Sequence, residues 1–158
     1  MRYVKKIREY HEGIFALSQT LEHEMLKLVG KGGRLTREEY LDLILPNREQ
    51  FKTGLLSHFK TEELALFPIL MRKPPNNGLT VFNLIVEHAY MVEKLRQFEA
   101  SQKYEISTKL LGELFSQLIK HAKSEDELFN KVTYTPEEEE HILAVATVVD
   151  TWPPIVTY

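Results

Sequence analysis

Apolar side chains recur along this chain in alternating steps of three and four residues, the spacing that lines one face of an α-helix. The pattern predicts four long helices, the first over residues 3–29, and no strand. Thr135, Pro136 and Glu138 form a capping signature that opens a shorter fifth helix, which should run to about Val149. We therefore expect an all-α fold: an up-down antiparallel four-helix bundle with a short C-terminal helix.

Glycine, proline and capping residues mark the expected ends of these helices. Gly30 should end the first helix, and a capping box at Thr36 should open the second. Thr80 is placed to cap the third helix, and the fourth is expected to follow Ser107. Pro46 lies early in the second helix and should bend or break it.

The length suits a single domain over residues 1–158, with the bundle at about 3–132 and the C-terminal helix and tail at 135–158. The net charge of -3 gives no electrostatic reason to expect nucleic acid or an anionic membrane as partner. No apolar run approaches the roughly 18 residues of a membrane-spanning helix, and the N-terminal residues do not resemble a secretory signal. A cytoplasmic location is therefore expected. The chain has no cysteine, which excludes disulfides and thiolate-held metals.

Each of the four long helices carries one histidine on its apolar seam. These histidines are His11, His58, His88 and His121. Two of them are followed four residues later by glutamate, which gives the pairs His58–Glu62 and His121–Glu125. Residues i and i+4 lie one turn apart on the same face of a helix. Each pair can therefore offer a nitrogen and a carboxylate oxygen to one point inside the bundle.

A single HxxxE pair is weak evidence of a metal site, because such pairs often form solvated ion pairs. A lone buried histidine is likewise more often a hydrogen-bonded core residue. Two observations favour metal here. Glu62 and Glu125 lie at core positions, with no basic residue on their seams apart from Arg48, and a buried carboxylate requires a partner. The four histidines also fall in one layer of an antiparallel bundle, at about 1.5 Å rise per residue.

The number of ligands narrows the kind of site. Four imidazoles and two carboxylates exceed the ligand set of one tetrahedral zinc ion. They suit two octahedral ions that share both carboxylates and an oxo or hydroxo bridge, with coordination positions left open. Iron and manganese both suit these ligands, and zinc is a further alternative. The residual positive charge of such a centre favours an anionic or reducible small molecule, for example peroxide.

The joint pattern H…HxxxE…H…HxxxE resembles that of the hemerythrin-like HHE cation-binding domain family. The segment HFKTEELALFPIL, residues 58–70, is similar to the family's second helix, and HAKSEDELF, residues 121–129, resembles its fourth. The resemblance covers about residues 3–132 and implies a bundle that holds two iron ions. The terminal ligands it implies are His11, His58, His88 and His121, and the bridging ligands it implies are Glu62 and Glu125.

One departure from the oxygen-carrying members of that family bears on function. Those members have a fifth histidine in an HxxxH pair on the third helix, whereas Leu84 and Val92 lie four residues from His88 here. Those members also have an aspartate five residues after the last histidine. Asp126 lies at that position here, directly after Glu125. The ligand set is closer to that of members that repair damaged iron–sulfur centres or sense iron. The repair proteins carry a cysteine-containing region, and this chain has no cysteine.

Some residues beside the predicted ligands are expected to play lesser roles. Glu63 points about 100° away from Glu62 on a helix, so an outer or solvated role is expected for it, as for Glu87. Tyr10 and Tyr90 are placed to reach the edge of the site and hydrogen-bond a ligand, although packing is the commoner role of such tyrosines.

Three functional hypotheses follow, and the sequence assigns neither a reaction nor an oligomeric state to any of them. The leading one is a non-haem di-iron protein that binds or reduces O2, peroxide or NO in sensing, storage or stress protection. The second is an iron reservoir or donor for the repair of iron centres. The third is a metal-free helical interaction module.

Overall fold

The computed structural model describes residues 2–29, 38, 39, 42, 48–74, 76–101 and 103–150. Five helices account for most of these residues, and none of the described residues lies in a strand, so the predicted all-α fold is confirmed. No helix in these ranges is long and apolar enough to cross a membrane. The signals predicted at Gly30, Thr36 and Pro46, and the tail after residue 150, lie outside the described residues.

The helices follow the predicted order. They are α1 (Arg2–Val29), α2 (residues 48–70), α3 (Gly78–Ala100), α4 (Tyr104–Asn130) and α5 (Pro136–Asp150). Within α2, an α-helical part over Arg48–Thr61 is followed by a π-helical turn over Glu62–Leu66 and a last α-helical turn over Phe67–Leu70. The bounds of α1 and α5 agree with the prediction to within one residue.

The π-helical turn departs from the continuous second helix that the sequence predicts. The Phe67 amide donates its hydrogen bond to the carbonyl of Glu62, five residues back rather than four. Pro68 follows, and in a regular α-helix its ring would crowd the carbonyl of Leu64 and leave that carbonyl without a donor. A turn widened by one residue accommodates the proline, and such turns are frequent at functional sites. Glu62 is the first residue of this turn.

The third helix begins two residues before the predicted Thr80 cap, so that prediction is wrong. The Gly78 amide donates to the side-chain oxygen of Asn76 at 3.1 Å. The Val81 amide already donates to the carbonyl of Asn77 at 2.9 Å, which closes the first helical turn. Thr80 therefore lies inside α3, and the asparagine side chain provides the hydrogen bond that the threonine was expected to provide.

The fourth helix also begins earlier than predicted, at Tyr104 rather than after Ser107. The Ser107 amide donates to the carbonyl of Lys103 at 2.9 Å, so Ser107 lies within the first turn. Its buried hydroxyl hydrogen-bonds the hydroxyl of Ser101 at 3.2 Å. This serine therefore ties the start of α4 to the end of α3 instead of preceding the helix.

The capping box predicted for the fifth helix is confirmed. The Thr135 amide donates to the Glu138 carboxylate at 2.8 Å, and the Glu138 amide donates to the Thr135 hydroxyl at 3.2 Å. Glu138 also forms an ion pair with Lys73, just beyond α2. The start of α5 is thereby fixed to the bundle.

Adjacent helices of the bundle are antiparallel. Lys94 of α3 pairs with Glu113 of α4 at 2.5 Å, whereas His88, earlier on α3, lies beside His121, later on α4. Opposite numbering of this kind also relates α2 to α3 and α1 to α4. The pairs that show it are Lys52–Glu99, Glu62–His88, Arg8–Asn130 and His11–Asp126. The predicted up-down arrangement is confirmed.

The core consists of two apolar clusters with a polar layer between them. One cluster includes Leu55 and Phe59, and the other includes Leu66 and Val81. On each of the four long helices, buried polar residues lie between the residues of the two clusters. Ile142 of α5 belongs to the second cluster, so α5 is part of the same core as the four-helix bundle.

The buried face of α3 is turned slightly from the predicted seam. Leu84 and Met91 are 2% and 1% exposed, whereas the predicted seam residues Ile85 and Val92 are half-buried. All four lie three or four residues from His88, so periodicity alone did not distinguish them. His88 faces the core whether Leu84 and Met91 or Ile85 and Val92 are buried, so the difference does not affect the predicted site.

Candidate metal centre

The six side chains predicted to hold metal meet in the polar layer between the two apolar clusters. They are His11 of α1, His58 and Glu62 of α2, His88 of α3, and His121 and Glu125 of α4. Five of them have at most 3% of the side chain exposed, and His58 has 11% exposed. The structure therefore brings all six together in a buried place.

Their potential ligand atoms form two overlapping groups of four, and within each group these atoms lie within 4.8 Å of one another. The first group is His11, His58, Glu62 and Glu125, and the second is Glu62, His88, His121 and Glu125. Each group thus has two imidazoles of its own. Both carboxylates belong to both groups.

Each glutamate turns one oxygen towards each group. Glu62 Oε1 lies 2.8 Å from Nε2 of His58, and Glu62 Oε2 lies 3.3 Å from Nε2 of His88. Likewise, Glu125 Oε2 lies 3.1 Å from Nε2 of His11, and Glu125 Oε1 lies 3.1 Å from Nε2 of His121. Carboxylates placed in this way can bridge two cations.

The nitrogens of His88 and His121 that face the centre can offer lone pairs to a metal ion when the rings are neutral. Nδ1 of His88 lies 2.8 Å from the Glu63 carboxylate, and Nδ1 of His121 lies 2.7 Å from the Glu87 carboxylate. Because a carboxylate accepts, each Nδ1 carries the hydrogen and each neutral ring keeps its lone pair on Nε2. These two Nε2 atoms are only 2.8 Å apart. Two lone pairs so close require a cation between them, either a proton or a metal ion.

A second set of contacts, called the outer ring below, surrounds the six side chains of the polar layer. In each case a residue next to one of the six side chains in the sequence reaches the imidazole of a neighbouring helix. The contacts are Glu63 to His88, Glu87 to His121, Asp126 to His11 at 3.2 Å, and Tyr10 stacked on His58 with ring centroids 4.1 Å apart. Carboxylates that hold the far nitrogen of a ligand imidazole fix its orientation and raise its basicity. Three of the four imidazoles are held in this way.

The outer roles predicted for Glu63 and Glu87 are confirmed, and Tyr10 does contact a site residue. Asp126 is the partner that the sequence reasoning missed. Its signal was present, because it directly follows Glu125 just as Glu63 follows the other inner glutamate. The second acid of each doublet points to a different side of its helix and reaches the neighbouring helix.

The inner carboxylates fit a bound cation. All four of their oxygens, on Glu62 and Glu125, are buried, and each has an imidazole nitrogen 2.8–3.3 Å away. In the described part of the chain, neither glutamate forms an ion pair with a lysine or arginine, and imidazoles are the only basic groups at their oxygens. Buried carboxylates in this state are costly. A cation among the six side chains would satisfy them, so the donor set suits a metal ion.

The charges in the layer shift the pKa values of its members. Burial lowers the pKa of His121, but the carboxylates of Glu125 and Glu87 outweigh burial and raise it to about 10. The pKa of His88 is raised in the same way, against burial, by Glu62 and the acid beside it. Burial opposes ionisation of Glu62, yet the neighbouring imidazoles hold its pKa well below the usual value. Without metal, the layer therefore holds protons on imidazoles and negative charge on carboxylates.

Aromatic rings exclude water around His88. Its imidazole lies between Phe59 and Phe67, with ring centroids 4.0 Å and 5.6 Å away and ring planes nearly parallel. Both phenylalanines are buried. A dry surrounding of this kind strengthens the electrostatic interactions inside the layer.

Among the described residues, two pockets open towards the layer. One, of about 260 Å³, lies between α1 and α2 and reaches His58. The other, of about 300 Å³, lies between α3 and α4 and reaches His121. Tyr90, predicted to lie at the edge of the site, lines the second pocket and is 57% exposed.

Comparison with curated proteins and with solved structures gives no match. A family model described as the hemerythrin HHE cation-binding domain matches residues 2–132. The matched range contains α1 to α4 and all six side chains of the polar layer. This chain therefore belongs to the hemerythrin HHE cation-binding domain family.

Proposed function

We propose that this protein is a non-haem di-iron protein that binds or reduces a small ligand such as O2, peroxide or NO, in sensing, storage or stress protection. The observation that carries the proposal is the arrangement of Glu62 and Glu125. Each turns one oxygen to each of two imidazole pairs. This arrangement provides four protein ligands for each of two ions, with both carboxylates shared.

The proposed roles of the side chains follow from the two groups. His11 and His58 would hold one ion, and His88 and His121 would hold the other. An octahedral ion with four protein ligands keeps coordination positions for a bridging oxygen and a small molecule. When bound, iron supplies a Lewis acid and a change of oxidation state at those positions.

The donor set and the family together favour iron. The chain has no cysteine, so imidazole and carboxylate are the available strong ligands, and these suit iron and manganese. Zinc also accepts these ligand types, although one tetrahedral zinc ion would use four of the six side chains that converge here. The resemblance to the hemerythrin-like family favours iron over manganese and zinc.

The absence of a fifth histidine favours a reactive or sensing centre over simple oxygen carriage. The positions four residues from His88 are Leu84, which packs in one apolar cluster, and Val92, which packs against the other. Neither offers a ligand atom, so the two ions would have equal sets of two imidazoles each. Coordination positions would then be open on both ions, which suits reduction of a bound molecule.

The polar layer argues against the metal-free interaction module. A helical module needs no buried carboxylates, and without metal Glu62 and Glu125 have only imidazoles to compensate the cost of their burial. The same layer is compatible with an iron reservoir. The reaction of the iron-loaded protein with small ligands distinguishes that alternative from the proposal. The proposal expects the loaded protein to react with at least one small ligand.

The test is to load the metal-free protein with ferrous ion without oxygen and then add O2, peroxide or NO in separate experiments. The proposal expects the added molecule to be consumed and the optical spectrum to change as the iron is oxidised or bound. An iron-loaded protein that reacts with none of the three, yet passes iron to an apo acceptor, would be a reservoir. A protein that takes up no ferrous ion would contradict the metal-binding proposal itself.

A further inference from the structure

We infer that small ligands reach the metal centre through the pocket between α1 and α2, whose inner wall is the stacked pair of Tyr10 and His58. The access route presupposes the proposed di-iron centre, because it leads to that centre.

The pocket exists because α2 presents small residues to α1. Gly54 and Ser57, which lie three residues apart on one face of α2, line it opposite Ile7 and Tyr10. No heavy atom lies within 4 Å of the place that a Cβ on Gly54 would occupy. The volume of about 260 Å³ exceeds the roughly 30 Å³ share of one water molecule several times over. A diatomic or triatomic molecule therefore has room inside the pocket, up to its inner wall.

His58 is the least enclosed of the four imidazoles. Its side chain is 11% exposed, against at most 3% for the other three. The other three rings are each held by an outer carboxylate, whereas His58 is held on that side by the ring of Tyr10. Stacked rings can slide past one another at lower cost than a charge-assisted hydrogen bond can be broken. The inner wall of this pocket is therefore the part of the outer ring best able to move.

The pocket between α3 and α4 is closed at its inner end. It reaches His121, but Glu87 holds Nδ1 of that ring at 2.7 Å, and 3% of the side chain of His121 is exposed. Lys120 also lines this pocket, and its positive charge acts on Glu87. A small ligand that entered here would have to displace a charged, hydrogen-bonded carboxylate. We therefore assign the route to the pocket at His58.

A plug at Gly54 tests the route. The substitution Gly54→Leu places a side chain in open space, and leucine favours a helix more than glycine does, so the fold should be kept. Gly112→Leu is the matched control, because Gly112 also lies in a helix with open space around it and lines neither pocket. Thermal unfolding of both variants should show that neither is less stable than the parent protein.

The first readout is the binding of azide to the iron-loaded protein, followed by stopped-flow absorption. In the Gly54→Leu variant, the association and dissociation rates should both fall by at least about tenfold, the effect of roughly 1.4 kcal/mol of added barrier. The dissociation constant should not change, because a plug affects the path and not the bound state. Gly112→Leu should leave both rates unaltered.

The second readout needs no metal. Diethyl pyrocarbonate modifies accessible imidazoles, and peptide mass analysis locates each modified histidine. In the metal-free Gly54→Leu variant, modification of His58 should slow, while the exposed residues His23 and His141 should react as in the parent protein. This comparison reports on the pocket even if no iron is bound.

The outcomes separate the route from the proposed function. Unchanged azide rates in a Gly54→Leu protein that takes up iron normally would overturn the route and leave the di-iron centre intact. A plug in the other pocket, Val86→Phe, would overturn it equally if that variant slowed azide binding and Gly54→Leu did not. Failure of the parent protein to take up iron would contradict the proposed function, while the modification of His58 would still decide whether this pocket is open.

Discussion

Glu63 Oε1 lies 2.8 Å from Nδ1 of His88, while the preceding residue, Glu62, faces the other nitrogen of the same ring at 3.3 Å. Two consecutive acids thus hold both edges of one imidazole. They are the first two residues of the π-helical turn in α2. One acid is positioned to bind metal, and the other to orient the ring that would bind it.

Replacing Glu63 by glutamine should weaken metal binding without removing it. The amide cannot enforce the tautomer of His88 or raise its basicity as the carboxylate does, and such outer partners typically change metal affinity by about 10–100-fold. Competition with a chelator of known affinity measures the change. Glu93→Gln is the control, because Glu93 forms an exposed ion pair with Arg96 on the same helix as His88. Equal metal affinity in the two variants would contradict the orienting role.

Metal binding should become stronger as the pH rises above neutrality. At pH 7 to 8 it should also release protons. In the metal-free protein the carboxylates of Glu125 and Glu87 outweigh burial and raise the pKa of His121 to about 10, above the value of about 6.5 in an unfolded chain. The stability that its protonation gives to the metal-free fold is therefore complete below about pH 6.5 and is lost as the pH rises through 10. A metal ion needs the unprotonated nitrogen, so it must displace that proton at pH 7 to 8.

Proton release can be measured with a pH indicator in weakly buffered solution as ferrous ion is added without oxygen. Release at pH 7.5 that diminishes towards pH 10 is the expected result. The stabilisation of the fold by metal should increase over the same range, because the metal-free state loses stability while the metal-bound state keeps its ligands. Metal uptake without proton release would show that the imidazoles are already neutral.

Much of the candidate site could be predicted from the sequence, because its pattern is local to each helix. The spacing of His58 with Glu62 and of His121 with Glu125 places nitrogen and oxygen on one helix face. Their positions on apolar seams made burial predictable. The outer contact of Asp126 with His11 needed the structure, because the pattern of α4 alone does not say which neighbouring helix this acid reaches.

Other parts of the structure could not be predicted from helical periodicity. A proline such as Pro68 can widen a helix by one residue or kink it, and the pattern does not say which. The chain before α3 offers both Asn76 and Thr80 as hydrogen-bond acceptors, and in the structure the Gly78 amide donates to the Asn76 side chain. The outer ring joins residues of different helices, so no single helical pattern contains it.

Glu125→Gln and Asp126→Asn should have different effects on metal binding. Glu125 has two buried oxygens that face both imidazole pairs, whereas Asp126 contacts His11 from outside and its side chain is 29% exposed. We expect the first variant to bind less than the full complement of metal and the second to keep it with an affinity about 10–100-fold lower. Metal content after desalting, together with a chelator titration, separates the two. A full complement in Glu125→Gln, with loss in Asp126→Asn, would reverse the assignment.

The fifth helix should contribute to the stability of the whole domain, although the family match ends at residue 132. Ile142 is fully buried and packs in the same cluster as residues of the four bundle helices. Ile142→Ala should therefore lower the free energy of unfolding by about 2–5 kcal/mol in a single transition. Leu143→Ala, at a 38% exposed position, is the control and should have a much smaller effect. Two separate unfolding transitions would show that α5 is an independent unit.

The central claim is that the six side chains hold two metal ions between them. Its most direct test is an anaerobic ferrous titration of the metal-free protein, with iron content measured after desalting, in the parent chain and in a Glu62→Gln, Glu125→Gln double variant. Because each of the two groups has four ligand atoms and shares both carboxylates, we expect about two iron ions per chain in the parent protein. We expect the double variant to lose them. A parent protein that retains one ion or none, or a double variant that retains both, would contradict the account.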